Sequence, residues 1–284
     1  MRSLPRRLNM SRLTDFWKNF DVYSDDIVGK TSIAKQDYEM LKSQQLLVTQ
    51  RDWNSDSTLF TIDLPSEPFV GDLDAPIYIM TLNPGAGDDE YTNWKNTTLQ
   101  DLAKNCVVQG ETDYPFYYLN PKLIGTGGYD YWRNNRFSGL IKALSEYYNS
   151  EDIAIKKIAN NVCDLELCAY RSSKWDVSPK IASKLSVVKA MKDFIVNVVV
   201  PGVIRGEKTF LVGRGREYFK SERFNYNGKI ITFDDLETEF PDRVVFYHGQ
   251  ACRSMSFNPY GYAPSGGGGT LGGQVLLESL KKLP

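Results

Sequence analysis

The stretch Ile77-Tyr78-Ile79-Met80-Thr81-Leu82-Asn83-Pro84-Gly85-Ala86-Gly87-Asp88-Asp89-Glu90-Tyr91 decides how the rest of this chain is read. Its first half is a short apolar run bounded by turn formers, which predicts a buried central strand. Its second half neither extends that strand nor starts a helix at once, because Pro84 lacks an N–H and Gly85 and Gly87 permit tight turns. A strand broken in this way leaves Asn83 at its carboxyl end, where open α/β sheets form their ligand crevices. A surface turn that happens to contain asparagine is the alternative reading.

Composition sets the frame around that strand. A chain of 284 residues accommodates one large α/β domain or two small ones, and 42% hydrophobic with 24% charged residues is the balance of a soluble globular protein. A net charge of −1 excludes an overall basic field, so any nucleic-acid contact requires a local patch. The 17 tyrosines suit stacking surfaces and large cores alike. Cys106, Cys163, Cys168 and Cys252 lack zinc-ribbon, redox or iron–sulfur spacing, and the lone His248 completes no Cys/His set, so neither metal nor other cofactor is expected. There is no transmembrane run and no secretory signal pattern, which predicts free thiols in a reducing, cytoplasmic setting and no membrane partner.

Residues 1–70 are expected to form an amino-terminal helical extension. Leu13, Phe16, Phe20, Ile33, Tyr38 and Leu41 recur at helical spacing, with Thr14-Asp15 and Thr31-Ser32 as caps, before a short strand and loops over 48–70. Residues 71–284 carry the main domain. From the Asn83 turn to about residue 130 the chain is polar and aromatic, and is predicted to be one long functional or mobile loop. A helix follows with Leu140, Ile141, Leu144 and Tyr147. The next strand, Asn161 to Cys168, puts Asp164 and Glu166 on one face because side chains alternate. Beyond it come a helix over 179–200, a strand, glycine turn and helix over 209–219, a last strand over 243–248 and a short final helix over 276–283. Strands alternating with helices predict an α/β fold, a three-layer α/β/α sandwich around a mainly parallel sheet.

Leu82-Asn83-Pro84-Gly85 at a strand end, followed by Asn135-Arg136-Phe137 opening a helix, resembles the mismatch-specific uracil/thymine branch of the uracil-DNA glycosylase superfamily. Phe210-Leu211-Val212-Gly213-Arg214 is similar to its later strand-glycine-helix element. His248, Arg253 and Asn258-Pro259 more loosely resemble its histidine loop, although His248-Gly249-Gln250 stands where the family has His-Pro-Ser. The motifs occur in order over about 75–260. The resemblance implies a uracil-DNA-glycosylase-like fold and excision of a flipped base to leave an abasic site.

Breaking an N-glycosidic bond requires a held water, donors for the base and an aromatic floor. The resemblance assigns the water to Asn83. Asp88 or Asp89 can support the sugar cation as carboxylates do in glycoside hydrolysis, or simply be solvated loop acids. Gly85 lets the chain approach the base, and Tyr91 or Trp94 can stack on it or belong to the core. Asp164 falls where relatives carry an edge-reading asparagine. An ionised acid only accepts hydrogen bonds and so favours the amino group of cytosine, while a protonated acid also serves N3. The expected substrate is therefore a cytosine-type base, and the superfamily includes prokaryotic antiviral glycosylases acting on modified cytosines in phage DNA. A cap or salt-bridge role is the alternative for Asp164. The resemblance implies that His248 donates to the O2 oxygen of the leaving base, with a structural role at a strand end as the alternative, and one of Arg253, Met255 and Phe257 is a candidate wedge into the duplex.

DNA, as duplex with an extruded base or as single strand, is the expected partner of a monomer. Residues 171–223 hold twelve basic residues, among them Arg171 and Lys174, against five acids. Arg214 and Arg216 flank Gly215 before an expected helix start, a combination that suits phosphate, and Arg136 is the further candidate contact. A lysine able to attack the sugar is missing from the strand-end motifs, which points to a monofunctional enzyme. A uracil or mismatch glycosylase, a DNA-binding relative without catalysis and a small-molecule α/β hydrolase are the rival readings.

Overall fold

A computed structural model describes residues 13–17, 32–87, 89–248, 255–260 and 269–284. Ile77–Thr81 forms the expected strand (β4), and all but its last residue are buried. It stands at the centre of a five-stranded sheet whose other members are β3 (Phe69–Val70), β5 (Val162–Glu166), β6 (Thr209–Val212) and β9 (Val244–Phe246), in the order β3-β5-β4-β6-β9. Pairing is parallel throughout except for β3, which runs antiparallel to β5. Two pairs of short strands lie outside this sheet. They are β1 (Leu47–Val48) with β2 (Phe60–Thr61), and the hairpin of β7 (Arg223–Tyr226) with β8 (Lys229–Thr232).

The registers fix which side chains share a face. Ile77 pairs with Val162 and Thr209, so Ile79, Thr81, Asp164, Glu166 and Leu211 follow them onto one side, while Tyr78, Met80, Leu165, Phe210 and Phe246 point to the other. Helices α3 (Ser138–Tyr148), α4 (Glu151–Asn161) and α6 (Gly269–Lys282) cover the first face, and Ser279 of α6 meets Thr209 at 2.9 Å. On the second face lies α5 (Ser186–Phe194), which continues through a π turn, Ile195–Val199, into Val200–Ile204. Its Phe194 packs edge-on to Tyr78 at 6.0 Å, and a stack of Phe219, Phe233 and Phe246 completes that layer. The architecture is a mixed α/β one with helices on both faces of a mostly parallel sheet.

Several expectations change. The amino-terminal region is helical at 13–17 and in α1 (Lys35–Ser43), and Trp17, Ile33, Leu41 and Phe60 enter the same core as the sheet. Ala34 begins α1 without a side-chain cap, and Thr31 lies outside the described residues. The supposed long loop after Asn83 is largely structured. Helix α2 (Thr97–Val107) is capped by Asn96, whose side chain accepts from the Leu99 N–H, and Phe116, Tyr117 and Tyr118 are buried. The helix expected over 179–200 is split into Pro179–Ala182 and α5. The final helix begins at Gly269, earlier than expected, and its Gly272 and Gly273 let it pack closely on Tyr247 and the backbone of Asn258.

Candidate active site

The chain enters β5 from the first face and β6 from the second, so the connections leaving β4 and β6 part to opposite sides. A crevice opens between such strands at their carboxyl ends. Asn83 stands there, two residues past Thr81. Its Nδ2 donates to Ser172 Oγ at 2.9 Å, to the Tyr170 carbonyl at 3.2 Å and to the Pro84 carbonyl at 3.1 Å. Among the described residues nothing donates to its Oδ1, so the amide is held by its nitrogen and offers an oriented acceptor. At the end of β6, Gly215 takes φ +91° and comes close to the Leu82 side chain, a conformation and approach that suit glycine.

Arg171 braces this loop from below. It is 3% exposed, donates from Nη1 to the Gly85 carbonyl at 2.9 Å and from Nε to the Pro65 carbonyl at 3.0 Å, and pairs through Nη2 with Glu67 at 2.8 Å. Glu67 also accepts from the hydroxyls of Tyr117 at 2.6 Å and Tyr118 at 2.8 Å. The guanidinium lies 5.0 Å from the Trp94 ring centroid, and Glu90 stands 3.5 Å from Nη1. Burial raises the Glu90 carboxyl and the Arg171 charge opposes that rise.

Asp164 and Glu166 occupy the same sheet face one step apart, opposite Ile79 and Thr81. Strands flank β5 on both sides, so neither acid reaches bulk water; they are 1% and 6% exposed. Glu166 Oε2 accepts from the Thr81 hydroxyl at 2.5 Å. The Asp164 carboxyl takes a side-chain hydrogen bond from Glu166 and meets no other donor among the described residues. Burial pushes both acids well above the ordinary carboxylate range; at Asp164 the Glu67 charge adds to the rise while the hydrogen bond from Glu166 and the Arg136 charge oppose it, and at Glu166 the Asp164 charge adds to the rise while the Thr81 hydroxyl opposes it. Burial and mutual repulsion therefore favour the protonated form of the pair.

A π turn, Asp130–Arg136, brings two further side chains to these acids, and such turns recur at functional sites. Arg136 donates from Nη2 to the Tyr131 hydroxyl at 2.5 Å and from Nη1 to the Met255 carbonyl at 2.7 Å. The Tyr131 hydroxyl is raised by desolvation and by the charges of Asp164 and Glu166, and lowered by Arg136. The residue is 43% exposed, which leaves aromatic surface open to solvent beside the desolvated hydroxyl. Sequence reasoning missed Tyr131, Ser172 and the bracing role of Arg171. The alternation that placed Asp164 had already marked Glu166.

The remaining expected site residues scatter. Asp88 and Arg253 lie outside the described residues. Asp89 is exposed, and its backbone carbonyl starts the short turn Glu90–Asn93 by accepting from Asn93 N–H at 2.8 Å. Tyr91 packs on Trp53 at 5.9 Å, with burial pushing its hydroxyl up to about 12. Trp94 is buried beneath Arg171, which removes it as a stacking surface. Met255 and Phe257 are core residues, Phe257 stacking on Phe137 at 5.3 Å, so neither is a wedge. Gly85 is exposed with open space beside its Cα.

His248 is exposed past the end of β9, and its Nε2 faces Glu237 at 3.6 Å. Arg214 is exposed and has no ion-pair partner among the described residues. Arg216 pairs with Asp234 at 3.2 Å and lies over the Phe246 ring. The segment after Gly215 is a four-residue 3-10 turn, Arg216–Phe219, too short to provide the helix dipole expected for phosphate. Lys174 pairs with Asp56 at the surface, and buried Arg171 is no DNA contact. Among the described residues no group of His, Cys, Asp and Glu could hold a metal ion, and no helix is long and apolar enough to cross a membrane. Cys106, Cys163 and Cys168 are buried free thiols. Set against known proteins, the chain matches no family model and no curated protein.

Proposed function

We propose that the protein is a monofunctional DNA glycosylase with a uracil-DNA-glycosylase-like fold. It acts on a flipped-out modified cytosine, such as the glucosylated hydroxymethylcytosine of phage DNA. The observation that carries this reading is Asp164, a buried acid whose one partner among the described residues is a second acid, Glu166, on the strand next to the one that leads into Asn83. Two buried acids with so few donors cost free energy, and a site that binds a polar ligand is a reason to retain them. The Asn83 Oδ1 accepts a hydrogen bond from the attacking water and directs it at C1′. Cleavage leaves positive charge on the sugar, stabilised by the neighbouring carbonyls and the DNA phosphates. Asp164 reads the Watson–Crick edge of the base. Tyr131, braced by Arg136, takes the stacking role that buried Trp94 does not fit. Arg214, exposed and without an ion-pair partner among the described residues, offers a cation for the DNA backbone.

The test is incubation with DNAs containing uracil, cytosine, hydroxymethylcytosine or glucosylated hydroxymethylcytosine, followed by an assay for abasic sites. Sites formed with modified cytosine and lost in Asn83→Ala are expected. Activity confined to uracil would overturn the base assignment, and no abasic sites on any DNA would overturn the enzyme reading.

A further inference from the structure

Asp164 offers more than recognition. We propose that Asp164 is the general acid of the excision, passing its carboxyl proton to N3 of the departing cytosine-type base; this rests on the glycosylase reading above. The geometry has three parts. The carboxyl group is 1% exposed and, among the described residues, meets only a second acid, Glu166, an environment suited to a neutral acid and hostile to an anion. A second acid, Glu166, lies one step along the same face and can hold a proton beside it. The charged and titratable groups facing them are Glu67 from the segment before β3, Tyr131 and Arg136 from the π turn, and Arg171 beyond β5. Burial and the Glu67 charge favour the protonated pair, while Arg136 and Arg171 keep a single negative charge on it tolerable. A carboxylic acid kept neutral by an apolar site so that it can donate at neutral pH is an established catalytic device.

The leaving group explains why such an acid is useful here. Uracil carries a proton on N3 and departs as an anion spread over two carbonyls. Cytosine has a lone pair on N3 and an amino group in place of O4, so its anion is more basic and a poorer leaving group. In the proposed step the Asp164 carbonyl oxygen accepts from the exocyclic amine and its O–H donates to N3. As the C1′–N1 bond breaks, its electron pair moves into the ring and the Asp164 proton moves to N3, so the base leaves neutral. Water adds its oxygen to C1′ and releases one proton to solvent, and one proton from solvent restores the acid pair.

The experiment compares single-turnover excision of hydroxymethylcytosine and 5-fluorouracil, a base that leaves as a stabilised anion, by the full-length protein and by Asp164→Asn. The asparagine keeps the shape and the hydrogen bonds to cytosine but has no proton to give. Expected is a loss of roughly 100-fold or more in hydroxymethylcytosine excision, with affinity for that DNA unchanged and 5-fluorouracil excised at least as fast as by the wild type. The wild-type rate on hydroxymethylcytosine falls as pH rises, and the 5-fluorouracil rate of the variant does not. Retention of hydroxymethylcytosine excision by Asp164→Asn, or equal loss on both bases, overturns the general-acid role and leaves the glycosylase reading standing. Abasic sites from neither base with the wild type overturn both.

Discussion

Glu67 and Asp164 are both buried acids near the carboxyl end of one sheet, yet the chain treats them in opposite ways. Glu67 receives two tyrosine hydroxyls and a guanidinium, a set of donors that suits a carboxylate. Among the described residues Asp164 has only another acid, Glu166, as its partner. The first acid anchors Arg171 and, through it, the Gly85 carbonyl and the turn that carries Asn83. The second is left poised, with burial holding its proton. A satisfied buried charge fixes a shape, whereas an unsatisfied one keeps chemical capacity at a cost in stability.

The sharpest way to break that contrast is Arg171→Met. Removing one partner of a buried pair strands the other, so a loss of about 3–5 kcal/mol is expected in urea unfolding. Excision falls as well, because the Gly85 carbonyl loses its tether. Adding Glu67→Gln to Arg171→Met recovers part of the lost stability. A loss below about 1 kcal/mol in the single variant would mean that Glu67 and Arg171 do not act as a structural pair.

Asp164→Leu is expected to move stability the other way. Among the described residues only Glu166, itself an acid, loses a partner when this acid is removed, and the desolvation penalty of a poorly paired polar group, about 1–3 kcal/mol, is relieved. The urea midpoint rises while excision is abolished. Destabilisation instead would show that the acid contributes to the fold and would erase its difference from Glu67.

Stability against pH sharpens the same point. Both acids are held above their ordinary values of 3.8 and 4.5, so the folded state binds protons more tightly than the unfolded one. Stability is therefore unaffected below that range and declines as pH rises through it, until the folded pair ionises. Each proton held only in the folded state contributes a slope of about −1.4 kcal/mol per pH unit. Asp164→Asn combined with Glu166→Gln removes this slope, which unfolding at a series of pH values from 4 to 8 reads directly. A slope identical in wild type and double variant would place the retained protons elsewhere.

These effects also explain what the sequence disclosed. The apolar run ending at Asn83-Pro84 announced the central strand, and period-two alternation put Asp164 beside Glu166 before any partner was known. Helix α2 had a legible signal in the Asn96 cap and the spacing of Leu99, Ala103, Cys106 and Val107, hidden by the polar residues between them. The hairpin between β7 and β8 was marked by Asn227-Gly228, both with positive φ. Arg171 was beyond reach, because a local count of basic residues cannot see an acid 104 positions earlier in the chain. Trp94 misled for the same reason, since an aromatic beside a functional loop reads alike whether it faces a ligand or a buried guanidinium.

Lys174 supplies the smallest effect and the cleanest control. Its ion pair with Asp56 measures 2.6 Å, shorter than the 2.8 Å between Arg171 and Glu67, so distance alone would rank it the stronger. Its partners are 58% and 83% exposed, however, whereas those of the buried pair are 3% and 9%. Water and salt already solvate both surface charges, and holding two mobile side chains together consumes what attraction is left. Lys174→Ala is therefore expected to leave the urea midpoint unchanged at physiological salt, where Arg171→Met lowers it strongly. A clear loss from Lys174→Ala would show that contact length outweighs burial in this protein and would undo the reasoning that separates Glu67 from Asp164.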